Sequence, residues 1–198
     1  MNFDFAQQIN PELKLLNFKN ALDIAENKLI ALPESAFHAV LGQSLVSQAD
    51  DLATWIDVFY TKAAAKISVK ALYFEMNEFD INTDEWFIDG FAYEQDGGPD
   101  PLDMEWITDW QADTTMETGT IFIIEGYEKL QNAFETIELT TKDLDNARDW
   151  CEQIIIARFM ELMRAVHLKA EERGLAWAKL PIYFTEHSYD FIVRSVIS

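Results

Sequence analysis

The chain of 198 residues contains a single cysteine, Cys151. One thiol excludes a disulfide framework within the chain and any cysteine-based zinc knuckle. Long hydrophobic runs are also missing. No stretch reaches the roughly 18 apolar residues that a membrane span needs, and the most apolar segment, 154–163, carries Arg158 and Glu161. The first eight residues, MNFDFAQQ, hold no basic cluster and no apolar run, so an ordinary secretory signal is not expected there and the plain reading is a cytoplasmic protein. No internal repeat, low-complexity tract or flexible linker divides the sequence, which predicts one domain over 1–198. The scarcest property is positive charge. Fifteen Lys and Arg stand against 35 Asp and Glu, giving a formal net charge of −20, which argues against a direct nucleic-acid binder, since such a protein needs a basic face.

What is present is ample core material, with 49% apolar and 13% aromatic residues. A chain of this length buries roughly 70% of the surface its unfolded form exposes, so the bulk is not expected to be disordered. The acidity is regional. Residues 1–70 carry eight acids and six bases, and residues 129–198 carry eleven and nine. Between Lys70 and Lys129 lie 58 residues with sixteen acids and no Lys or Arg. A merely solubilising surface mixes both signs, so the base-free stretch asks for a reason.

Element signals come in four blocks. Asn10-Pro11-Glu12 resembles a helix start, and Leu15, Phe18, Leu22, Ala25 and Leu29 recur at helical spacing up to Pro33. A shorter helical piece is expected over 35–45. Ser47 with Asp50 reads as a capping box for a helix carrying Leu52, Trp55, Ile56, Phe59 and Tyr60. Leu72, Phe74 and Met76 alternate with polar positions, so 70–93 reads as a hairpin; the parity slips at Phe79 and Ile81, predicting a bulge or a bend near Asn77-Glu78. The run 95–101 is a loop, and a helix start is expected over 100–103, with Leu102, Trp106 and Trp110 on one side and Glu105, Asp109, Asp113 and Glu117 on another. The apolar run 120–124 predicts a strand buried on both faces, followed by a helix over 127–137. Thr140-Thr141-Lys142-Asp143 opens the longest helix, which Gly174 closes and which is expected to run through the core. Two strands, 182–186 and 189–196, end the chain. The sum is an α+β fold: a mainly antiparallel sheet of about five strands packed on several helices, including one long buried helix near the C-terminus.

Motifs for chemistry are sparse. Asp96, Asp100, Asp103 and Glu105 lie on a Gly-containing turn of the kind that suits a hard cation, but without the spacing of an EF-hand. Glu75 and Asp89 are placed to oppose one another across the hairpin, with Glu78, Asp80 and Glu94 near its edges; paired carboxylates of this kind serve hydrolases. His38, His167 and His187 have no metal-binding spacing, and only His187, beside Glu186 in a turn, has a site-like context. Cys151 falls on the apolar stripe of the long helix and reads as a buried structural thiol. Trp86 reads as core. Trp106 and Trp110, interleaved with acids, fit either core or a face that grips a cationic partner through ring contact and charge.

These signals favour a non-enzymatic binding protein over an enzyme, and no cofactor or metal is expected. The expected partner is a basic protein, met by an acidic face over about 72–128, with Asp96, Asp100, Asp103, Glu105, Trp106, Asp109, Trp110 and Asp113 as contact residues. No direct nucleic-acid or membrane contact is expected. In size and composition alone the chain resembles, at class level, the immunity proteins that neutralise bacterial toxins, which implies an inhibitor. The alternatives are a carboxylate- or metal-assisted hydrolase and an orphan domain whose acidity maintains solubility.

Overall fold

A computed structural model describes residues 3–100, 104–189 and 191–197. The N-terminal periodicity makes two helices rather than one. α1 (Phe3–Lys14) buries Ala6, Ile9 and Leu13 and runs through Pro11, so Asn10-Pro11 is not a helix start. Pro11 removes only the bond to the carbonyl of Gln7, and both residues lie on the exposed side, so the loss falls where solvent can reach. The chain reverses at Leu16, whose φ is +58°, and α2 (Phe18–Ile30) packs back along α1. Leu15 is left outside, 75% exposed.

Two short 3-10 turns, Ala36–Val40 and Val46–Gln48, lead into α3 (Ala49–Ala64). The capping box expected at Ser47 does not form: Ser47 lies within the second turn, and Gln48 takes the cap position without a side-chain bond.

The sheet begins with the expected hairpin. β1 (Ala71–Met76) and β2 (Phe87–Tyr93) pair antiparallel, with Glu75 opposite Asp89. The parity slips at a bend and not at a bulge, where the chain leaves the strand. β1 stops at Met76, and Asn77 bridges the connection, donating from Nδ2 to Glu85 O at 3.1 Å and accepting from Phe87 N at 2.9 Å. Phe79 then turns inward onto Trp86.

Two very short strands, β3 (Ala112–Asp113) and β4 (Phe122–Ile123), share the outer edge of β2, with the one-turn helix α4 (Thr114–Glu117) between them. The run 120–124 is therefore an edge piece with Ile123 half-exposed, not a strand buried on both faces. α5 (Glu128–Thr136) and α6 (Lys142–Glu172) follow as expected. Thr141 caps α6 by accepting from Leu144 N at 3.2 Å. At 31 residues α6 is about 46 Å long, and Ala147 to Ala170 supply much of the core, Cys151 among them. β5 (Ile182–Glu186) pairs parallel to β1, and β6 (Val193–Ser195) antiparallel to β5. The fold is α+β, with sheet order β3-β2-β1-β5-β6 and β4 beside β2.

The sheet has two different sides. Leu72, Phe74, Met76, Ile88, Ala92, Ile182 and Phe184 belong to the large core shared with the helices. On the other side Ala71, Tyr73, Tyr93 and Tyr183 form a separate aromatic layer with Trp106. No helix among the described residues is long and apolar enough to cross a membrane.

Candidate functional site

Residues 94–100 and 104–111 lie against the aromatic side of the sheet and decide where their acids go. Asp96 is engaged at the sheet surface: Tyr183 donates its OH to Oδ1 at 2.5 Å, and Arg194 Nη2 lies 3.3 Å from Oδ2. Trp106 is buried, packed edge-on against Tyr93 and Tyr183, with its indole N–H donating to Gly98 O at 3.3 Å. Tyr93 donates its OH to Ile107 O at 2.7 Å. Asp96 and Trp106 thus hold these residues onto the sheet, Trp106 buried and Asp96 tied down by its partners while still exposed.

The helix start expected over 100–103 lies mostly outside the described residues, and after it the described residues form a 3-10 turn, Glu105–Thr108, in place of a continuing helix. Glu105, Asp109, Asp113 and Glu117 consequently form no line of carboxylates. Glu105 and Asp109 are exposed, Asp113 caps α4 through Met116 N at 2.7 Å, and Glu117 is buried against Lys66 at 2.8 Å. Asp100 is exposed, while Asp103, with Pro101 and Leu102, lies outside the described residues. Among the described residues no group of three His, Cys, Asp or Glu side chains is arranged to hold a metal ion.

Two surfaces remain. One is the outer edge of the sheet. Trp110 leans on Phe91 with ring centroids 5.0 Å apart and stays 44% exposed; Met116 is 74% and Ile123 38% exposed. β3, which follows Trp110, and β4, which holds Ile123, meet β2 at Phe91 and Phe87, four residues or about 13 Å apart, and Met116 lies in α4 between them. Asp109 and Glu125, close to Trp110 and Ile123 in sequence, are exposed. An apolar row of this kind, in a segment of one sign of charge, has the composition of a binding edge.

The other surface lies at the C-terminal end of β1. Glu75 accepts from Tyr73 OH at 2.5 Å through one oxygen, and its other oxygen lies 2.6 Å from His187 Nδ1. With the carboxylate as acceptor, Nδ1 carries the ring proton; this bond raises the His187 pKa, and partial burial opposes it. Across the ladder, burial raises the Asp89 pKa, Thr114 Oγ1 lowers it by hydrogen bonding, and the charges of Glu75 and Asp113 raise it further. On the helix side of β5, Glu186 is fully buried and its pKa is pushed up to about 8, chiefly by desolvation. The Ser188 N–H opposes that rise, while Asp80, Glu78 and Glu75 add to it. Among the described residues, the clefts beside α1 and β6, beside α1 and Phe191, and at the start of α6 are not lined by Glu75, Asp89 or His187.

The sequence placed Glu75 against Asp89 because a hairpin register is local. It gave no signal for His187 on Glu75 or Arg194 on Asp96. Both depend on the parallel β1–β5 pairing, which joins residues more than a hundred positions apart. No protein-family model, curated protein or solved structure matches this chain.

Proposed function

We propose that this is a non-enzymatic, cytoplasmic binding protein whose acidic segment docks a basic protein, in the manner of an inhibitor. The observation that supports this reading most is the edge beside β2. Trp110, Met116 and Ile123 are exposed there, within a sixteen-acid segment that contains no cation of its own. Exposed aromatic and apolar side chains supply contact area, and the surrounding carboxylates steer a cationic surface toward them. The edge is narrower than the surface expected from sequence. It keeps Asp109, Trp110 and Asp113 and leaves Asp96 and Trp106 to structural roles.

The test is capture at low and at high salt with the wild-type chain and with an Asp109→Lys/Glu125→Lys variant. A partner of high pI, weakened steeply by salt and lost with the variant, supports the reading. Retention of the same partner by the variant, or at high salt, contradicts it.

A second reading, carboxylate-assisted hydrolysis, is favoured by one observation: Glu75 faces Asp89 in register, with His187 on Glu75. Turnover of a glycoside or ester panel that disappears in both Glu75→Gln and Asp89→Asn would establish it, and absence of turnover by the wild-type chain would remove it.

A further inference from the structure

We infer that the cleft between the end of α1 and β6 binds a small amphipathic carboxylate. It encloses about 330 Å³, within the range of small-molecule sites. Its walls include Phe191, Ile192, Val193 and Met104, and its charged side chains are Lys14 and Arg194. Among the described residues no carboxylate lines it, although the chain as a whole carries −20.

The two cations come from distant parts of the sequence and are in different states. Lys14 occupies the last turn of α1, where its charge balances the carbonyl end of the helix; no acid among the described residues lies within ion-pair distance of it. Arg194 is fixed: Nε donates to Tyr183 OH at 3.0 Å, and Nη2 faces Asp96 Oδ2 at 3.3 Å. Its Nη1 has no acceptor among the described residues. A guanidinium held in this way is preorganised for an anion, because its geometry is set before the ligand arrives. One anionic head between Lys14 and Arg194, with an apolar body against Phe191, Ile192 and Val193, matches both halves of the lining. A dianion would meet the opposing charge of Asp96 behind Arg194, so a monocarboxylate fits better than a phosphate. The inference is independent of the acidic edge.

The experiment is calorimetric titration of the full chain with straight-chain monocarboxylates from butanoate to decanoate, with octanol as the neutral control. The expected result is one saturable site that takes octanoate at least about tenfold more tightly than octanol, which corresponds to about 1.4 kcal/mol. Lys14→Glu should weaken octanoate about tenfold with an unchanged circular dichroism spectrum, and Ile192→Trp, which fills the cleft, should abolish it. Lack of saturation across the series, equal binding of octanol, or wild-type binding by Lys14→Glu overturns the proposal; Lys14→Glu is decisive even if Ile192→Trp fails to fold.

Discussion

A Cβ placed on Gly97 would sit 2.2 Å from Cδ1 of the Trp106 ring. The contact is with the body of an indole that is itself wedged between Tyr93 and Tyr183, so the ring cannot simply swing aside. Gly97→Ala should therefore cost about 1–3 kcal/mol, as overpacking of a filled site does. Urea denaturation followed by tryptophan fluorescence measures it, and an unchanged midpoint would mean that Trp106 does not anchor the segment. Glu186 gives a second prediction. Its pKa moves from 4.5 in the unfolded chain to about 8 in the folded one. The folded state thus holds the proton longer, and the stability present below about pH 4.5 is withdrawn as pH climbs toward 8. The slope is at most about 1.4 kcal/mol per pH unit. His167, lowered to about 4 by burial, has the opposite sign and removes stability as pH falls from 6.5 toward 4. Glu186→Gln keeps an oxygen for Ser188 N, so the variant should melt above the wild type at pH 8, with the gap closing toward pH 5. A gap independent of pH would contradict the assignment.

At the scale of elements, the long C-terminal helix was the most legible feature. Thr141 really is its cap, and Gly174, at φ +65°, follows its end. Thr141→Ala removes the acceptor for Leu144 N and should cost about 1 kcal/mol, read as a lower melting temperature. What the sequence hid were the boundaries where a solvent-facing position breaks a local rule. Pro11 sits inside α1 because its lost bond faces water, and Ser47 fails as a cap because a 3-10 turn already occupies the approach. Asn77 ends β1 by bonding both Glu85 and Phe87, a pattern that imitates a change of strand parity. Of the candidate site, the hairpin pair Glu75–Asp89 was legible for the same local reason. The engagement of Asp96 was not, since Tyr183 and Arg194 reach it only after β5 and β6 join the sheet.

For the whole molecule, sixteen of the 35 acids sit in 58 residues, and among the described residues the rest of the chain reaches into that stretch with cations such as Lys66 to Glu117, Arg148 to Asp80 and Arg194 to Asp96. Carboxylates this dense along the chain repel one another, and salt screens that repulsion with a Debye length of about 10 Å at 0.1 M. Sodium chloride should therefore raise the melting temperature between low ionic strength and about 0.5 M, and a flat response would show that the repulsion is already relieved. The same charge supports the central claim, that the edge beside β2 meets a basic protein. The most direct measurement is photo-crosslinking from position 110, compared with position 58 on the exposed side of α3, where Val58 is 47% exposed. The account predicts one dominant adduct from position 110, with a basic protein, absent from position 58 and lost when Asp109 and Glu125 are changed to Lys. The same adducts from both positions, or an adduct from position 110 that survives the charge reversal, would contradict it.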